Sequence, residues 1–417
     1  MISNDKQIKP MSLRRNFSWT FTGNVIYAAC QWGMLMAMAK LGTPVVVGQY
    51  TLGLAVTAPV FMLTNLQLRG VQATDAKDEH SFGEYLGLRI SGSAVALAII
   101  LLIIWFGGYR GETAVVIMLL GLAKFIESVS DICFGLAQKH EQMQLIAKSH
   151  IVKGILSLVV LVIILIVTGS ITLSIVGLII SWFLVLVLYD WVNTRNFSEP
   201  QPVFSGEKLW PLARLSLPLG AVMALISLNS NIPRYFIEHE LSIEALGYFS
   251  AMAYLIVAGN TVVSALGQSA SPRLAKYFAF ANMKAYRRLL LKLALLGAGL
   301  GIMGLGVSVT FGREILALLY TPEYAEYAGI FNLIIVSAGI GYVASFLGYG
   351  LTAARFFKIQ PAIFCIVTLV SLSSCAILIP IAGLKGAAYA LIITSLVQLL
   401  VSLLAIVYKM HFIPAKR

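Results

Sequence analysis

Lys124, Glu127 and Asp131 lie three and then four residues apart within an otherwise apolar run. That spacing returns all three to one face of an α-helix. A cation and two carboxylates brought together out of water have two uses. In one, Lys124 holds an anionic ligand while Glu127 or Asp131 takes up a proton or a sodium-linked charge. In the other, Lys124 and Glu127 neutralise each other and Asp131 reaches water. Four more cations sit in or beside apolar runs: Arg89, Lys153, Arg214 and Arg234. Arg234 suits either an anion contact or snorkelling to the far interface. Arg89, Lys153 and Arg214 fall within a turn or two of a membrane face, where lipid phosphate or an incoming anionic ligand would meet them. Asn24 and Gln31, seven apart, share a helix face, and Asn229, Asn231 and Asn260 add amides in later segments. Amides donate and accept alike, so they either join helices or face a hydroxylated ligand.

Nothing else carries chemistry. No Walker A loop, HExxH or nucleophile elbow occurs, so no catalytic residues are expected. Cys30, Cys133, Cys365 and Cys375 lie in apolar stretches without a CxxC pair or a histidine cluster, so neither a metal nor a disulfide framework is indicated.

The elements that must position these residues are membrane helices. The 417 residues are 59% hydrophobic and 12% charged, against roughly 25% charged in soluble proteins. A soluble enzyme and a nucleic-acid-binding domain are therefore excluded, despite the net charge of +12. Apolar windows predict about twelve helices, at roughly 17–39, 48–68, 85–107, 113–137, 147–168, 171–193, 212–236, 245–268, 289–311, 326–350, 361–381 and 384–408. The basic residues Lys6, Lys9, Arg14 and Arg15 precede a first run without a cleavage site, which reads as an uncleaved span.

With the N-terminus inside, the inner segments hold 21 of the 30 Lys and Arg, the outer ones only 4 against 7 acids, and the spans 5 against Glu127 and Asp131. This asymmetry predicts cytoplasmic N- and C-termini. Pro59 and Pro233 are the prolines expected to break or bend a helix. The basic, aromatic stretch 272–292 is expected to form an interfacial helix on anionic lipid, not a nucleic-acid site.

The chain also reads as a duplication. "GQYTLGLAV" from Gly48 resembles "GYFSAMAYL" from Gly247, and "FGLAQK" from Phe134 resembles "YGLTAA" from Tyr349. The expected fold is all-α and integral to the membrane, with two six-helix lobes, 1–193 and 212–417, joined by a cytoplasmic linker at 194–211. An even number of helices per copy implies a pseudo-twofold along the membrane normal.

From Leu215, "LSLPLGAVMALISLNSNIPRYFIEHELSIEALGYFSAMAYL" resembles the start of the second half of polysaccharide flippases, in the superfamily that also holds MATE exporters and lipid II flippases. Leu217-Pro218, the stretch Asn229 to Arg234, and Leu246-Gly247-Tyr248 carry the resemblance, together with "AKLGTPVVVGQYTLG" and the arginine of "LQLRG" in the first half. The resemblance implies flipping of a polyprenyl-pyrophosphate-linked oligosaccharide by alternating access, without a cofactor, in a bacterial cytoplasmic membrane. Polysaccharide polymerase and chain-length proteins are implied as partners. It also implies that the first, second, seventh and eighth helices line the cavity. A MATE-like cation-coupled drug exporter and a lipid II flippase are the alternatives. An excess of basic over acidic residues in the spans favours an anionic substrate over a cationic drug, and twelve helices favour the glycan branch. A glycan polymerase would need a large outer loop, which the chain lacks.

Overall fold

The computed structural model describes residues 13–75, 77–356 and 359–412; Lys6 and Lys9 lie outside them. Among the described residues the regular structure is helical, and ten helices are long and apolar enough to cross a membrane. In chain order the first half comprises α1 (Leu13–Leu41), α2 (Pro44–Thr64), α3 (Leu68–Thr74), α4 (Phe82–Phe106), α5 (Gly111–Lys139), α6 (Met143–Thr168), α7 (Ile171–Val185) and, after a π turn at Leu186–Asp190, α8 (Trp191–Thr194). The second half comprises α9 (Gly206–Glu240), α10 (Ile243–Tyr254), α11 (Ile256–Ala279), α12 (Met283–Leu319), α13 (Ala328–Ala353) and α14 (Gln360–Phe412).

Short polar signals end and start these helices. Gly169 takes φ 65° to close α6, and the Ser170 hydroxyl accepts from Leu173 N at 3.3 Å to open α7. Two residues thus connect two spans. Ser81 and Glu84 open α4, Ser242 caps α10, and the Asn282 side chain caps α12. Inside α14, Gly383 departs from helical geometry at φ 58°, ψ −136°. A Cβ on Gly386 would come within 1.9 Å of the Leu378 carbonyl oxygen. Residues eight apart in a straight helix stand about 12 Å apart, so α14 is two helices folded against each other at Gly383.

Five expectations need correction. The second span was expected at 48–68 with a break or bend at Pro59; it runs unbroken through Pro59 and ends at Thr64, where Leu66 and Gln67 take φ 53° and 54°. Pro233 likewise does not break α9, which continues to Glu240. The eighth breaks at Leu255 and continues to Ala279. The basic stretch 272–292 is not a separate interfacial helix. Its cations ride on the end of α11 and the start of α12, joined by a turn at 280–282. Asp190, left out of the acids counted in the spans although it falls inside the predicted 171–193 helix, is buried on the π turn, within an apolar helical stretch that runs from Ile171 to Thr194.

The chain forms two compact units, Met1–Gly42 with Val56–Ala224, and Thr43–Ala55 with Leu225–Arg417. In the first, α1 packs on α6, and α5 on α4 and α7. In the second, α13 packs between α12 and α14 around Tyr286, Leu290, Phe346 and Val367.

The matched glycines of the two repeats meet inside the second unit. A Cβ on Gly48 would lie 2.0 Å from the Ile243 carbonyl oxygen, and a Cβ on Gly247 would lie 1.9 Å from the Pro44 carbonyl oxygen. Pro44 precedes Gly48 as Ile243 precedes Gly247, so the two contacts are one contact made twice. That reciprocity is the signature of a twofold relation. Gly247→Ala is expected to force the backbones apart, to cost about 1–3 kcal/mol, and to lower the melting temperature of purified protein. Gly206→Ala, with nothing within 4 Å of the added Cβ, is expected to leave it unchanged.

Candidate functional site

α5 is amphipathic along one stripe, and that stripe faces a cavity of about 490 Å³ within the first unit. Lys124, Glu127, Ser128, Asp131 and Gln138 of α5 line it, with Arg69 of α3, Arg89 of α4 and Asn65 at the end of α2. Phe61, Met62 and Met223 supply apolar wall. Arg69, Arg89 and Lys124 against Glu127 and Asp131 leave a net charge of +1 on the lining.

The charges are paired in a definite way. Lys124 Nζ donates to Glu127 Oε2 at 2.6 Å, and the Tyr27 hydroxyl faces Glu127 Oε1 at 3.5 Å. Asp131 does not simply reach water. Its Oδ1 accepts from Arg69 Nη1 at 3.2 Å and its Oδ2 from Arg89 Nη2 at 3.1 Å. Arg69 also donates through Nε to Gln138 Oε1 at 3.1 Å, and its guanidinium lies 5.7 Å from the Phe134 ring centre. The left-handed residues Leu66 and Gln67 turn the chain between α2 and α3 so that Arg69 meets α5. Non-glycine residues in that conformation cost on the order of 1–3 kcal/mol each and persist where the surroundings impose them.

Arg89 was expected near a membrane face, against lipid phosphate or an incoming ligand. It is instead 1% exposed and tied to Asp131, with Nε and Nη1 buried and lacking a partner among the described residues. Lys153 was read in the same way and is also buried. It donates to Asp190 Oδ2 at 2.7 Å and to the Ser130 hydroxyl, 5.0 Å from the Phe134 ring centre. The π turn inserts one residue per turn and aims Asp190 at Lys153. Counting Arg69 and Asp190 among the span residues raises the tally to six cations and three acids and leaves the net at +3.

The remaining predicted residues are not gathered at this cavity. Arg234 of α9 is half-buried in the second unit and donates to the Asn231 side-chain oxygen, with no acidic partner among the described residues. Asn231 donates onward to the Ser227 carbonyl at 2.8 Å, and Asn229 Oδ1 is buried without a partner among the described residues. Asn260 is exposed on α11, and Arg214 is exposed on α9. Asn24 on α1 is 3.3 Å from His150 Nδ1, and Gln31 is half-buried on the same helix. Sequence reasoning missed Arg69, Gln138, Tyr27 and His150 as neighbours of the charged stripe. The "LQLRG" and "FGLAQK" motifs hold the first two and were the available signal.

No cluster suited to a metal ion occurs among the described residues. Long apolar helices around a charged internal cavity define a multi-pass membrane protein with a transporter fold. The inward-closed structure of the lipid II flippase MurJ is similar with a TM-score of 0.75 at 13% identity, covering 94% of this chain and 88% of that one. An inward-facing multidrug resistance MATE family transporter of the MOP superfamily is similar with a TM-score of 0.68 at 13% identity, covering 94% and 98%. Residues 13–278 match the family described as polysaccharide biosynthesis protein, and the chain belongs to that family. The capsular polysaccharide biosynthesis protein CapF of Staphylococcus aureus is 29% identical over 390 residues, 93% of this chain and 97% of that protein.

Proposed function

We propose that this protein moves a polyprenyl-pyrophosphate-linked oligosaccharide from the cytoplasmic to the outer leaflet by alternating access. The observation that carries the reading is the net-positive cavity of the first unit, in a member of the polysaccharide biosynthesis family. A lipid-linked sugar keeps its tail in hydrocarbon, but its pyrophosphate and glycan need a polar passage with cations. Arg69 and Lys124 are the more exposed cations of the lining, and Arg89, 1% exposed, holds Asp131. The lysine and arginine asymmetry of the loops supports an N-terminus in the cytoplasm, which puts α3, the start of α4 and the end of α5 at the cytoplasmic side. The cavity then stands where a headgroup arrives. Arg234 and the amides near it are the proposed contacts in the second unit. Glu127, between Lys124 and Tyr27, is the proposed coupling carboxylate for a proton or sodium.

A deletion strain tests this. Lipid-linked glycan is expected to accumulate in a form that external glycosidases and periodate cannot reach, and mass spectrometry of that pool identifies the sugar. Normal external exposure of the glycan in the deletion strain would sink the reading. Restored efflux of a cationic dye as the sole complemented trait would favour a drug exporter.

A further inference from the structure

The cavity lining includes an anion held between two arginines, and that anion is Asp131. Each oxygen of its carboxylate accepts from a different guanidinium, Arg69 at 3.2 Å and Arg89 at 3.1 Å. Charge-assisted pairs of this kind are how phosphates are held. The two arginines differ in how far they reach the cavity. Arg89 lines it but is only 1% exposed, whereas the side chains of Arg69 and Asp131 are 29% and 31% exposed. Neutralising Arg89 requires only an acid beside it. Arg69 is an additional donor, brought to Asp131 by two consecutive left-handed residues and steadied from the other side by Gln138.

We infer that Asp131 is a built-in substitute for the substrate's phosphate: it holds Arg69 at the anion position of the cavity and competes with the incoming diphosphate headgroup. When the headgroup binds, Asp131 stays on Arg89 and gives up Arg69. When the headgroup leaves, Asp131 takes Arg69 back. The carboxylate thus keeps affinity low enough for release, a cost that a carrier must meet because uniformly tight binding stalls its cycle. This rests on the proposed headgroup chemistry and assigns one residue a specific part in it.

The test uses full-length protein in lipid nanodiscs, with calorimetric titration of farnesyl diphosphate and, separately, inorganic pyrophosphate. Asp131→Asn is expected to bind farnesyl diphosphate about tenfold tighter than wild type, or ~1.4 kcal/mol, while turning over lipid-linked glycan more slowly. Adding Arg69→Gln is expected to cancel the gain. Asp131→Asn leaves Arg89 buried without a counter-charge and can fail to fold. The Arg89→Gln, Asp131→Asn double variant keeps the buried charge balanced and is expected to show the same gain. Equal or weaker binding in the double variant, with wild type binding normally, overturns the inference and makes Asp131 a brace. A gain with pyrophosphate but not with farnesyl diphosphate overturns the lipid headgroup as the competitor. Wild-type protein that binds neither probe fails the proposed function itself, a result distinct from either.

Discussion

Lys153→Met is expected to destabilise the protein by about 3–5 kcal/mol, because it leaves a carboxylate buried without its cation. Asp190 is 4% exposed, and the ammonium is its ion-pair partner. Asp190→Asn acts in the same direction by stranding Lys153. The measurement is the melting temperature and folded yield of detergent-solubilised protein by fluorescence-detected size exclusion. A Lys153→Met, Asp190→Leu double variant is expected to recover most of the loss, since two apolar side chains of similar volume need no counter-charge. A double variant that folds well yet fails to export glycan would assign the pair a role in transport as well as in packing.

The second large effect is on transport. Arg69→Gln combined with Lys124→Met removes the two more exposed of the three cations that line the cavity. Each charge-assisted hydrogen bond contributes on the order of 1.5–3 kcal/mol, so the pair is expected to lower flipping by about 100-fold or more. Lys124→Met alone is expected to lower it by about tenfold, with expression retained because the Glu127 side chain is 33% exposed at the cavity and keeps access to water. The assay is complementation of the deletion strain, read as surface glycan per cell at matched protein level. Full activity in the double variant would remove the cationic cavity from the mechanism.

How much of this was legible follows from the physics of each signal. The stripe of Lys124, Glu127 and Asp131 was readable because helical periodicity alone puts those residues on one face. The connection at Gly169 and Ser170 was readable because glycine and serine are the residues that end and start helices. The place of Arg69 was not. It depends on two left-handed residues in "NLQL", a tetrapeptide with no glycine or proline to mark the turn. The pairing of Asp190 with Lys153 was not legible either, because a π turn shifts the register that periodicity assumes. Arg89 and Lys153 looked like interfacial cations, since a snorkelling cation and a paired one have the same sequence neighbourhood. Their acids lie 42 and 37 residues away on other helical segments.

The mutual seating of Gly48 and Gly247 has a genetic consequence. An ancestor assembled from two identical chains would have carried every charge twice, with any change appearing at both places at once. Joining the copies in one polypeptide would break that obligation. The offset between Phe134 and Tyr349 maps Lys124, Glu127 and Asp131 of α5 onto Gly339, Tyr342 and Phe346 of α13, none of them charged. One copy could thus carry a cluster of charges at a position where the other carries none, a division of labour that identical subunits cannot reach.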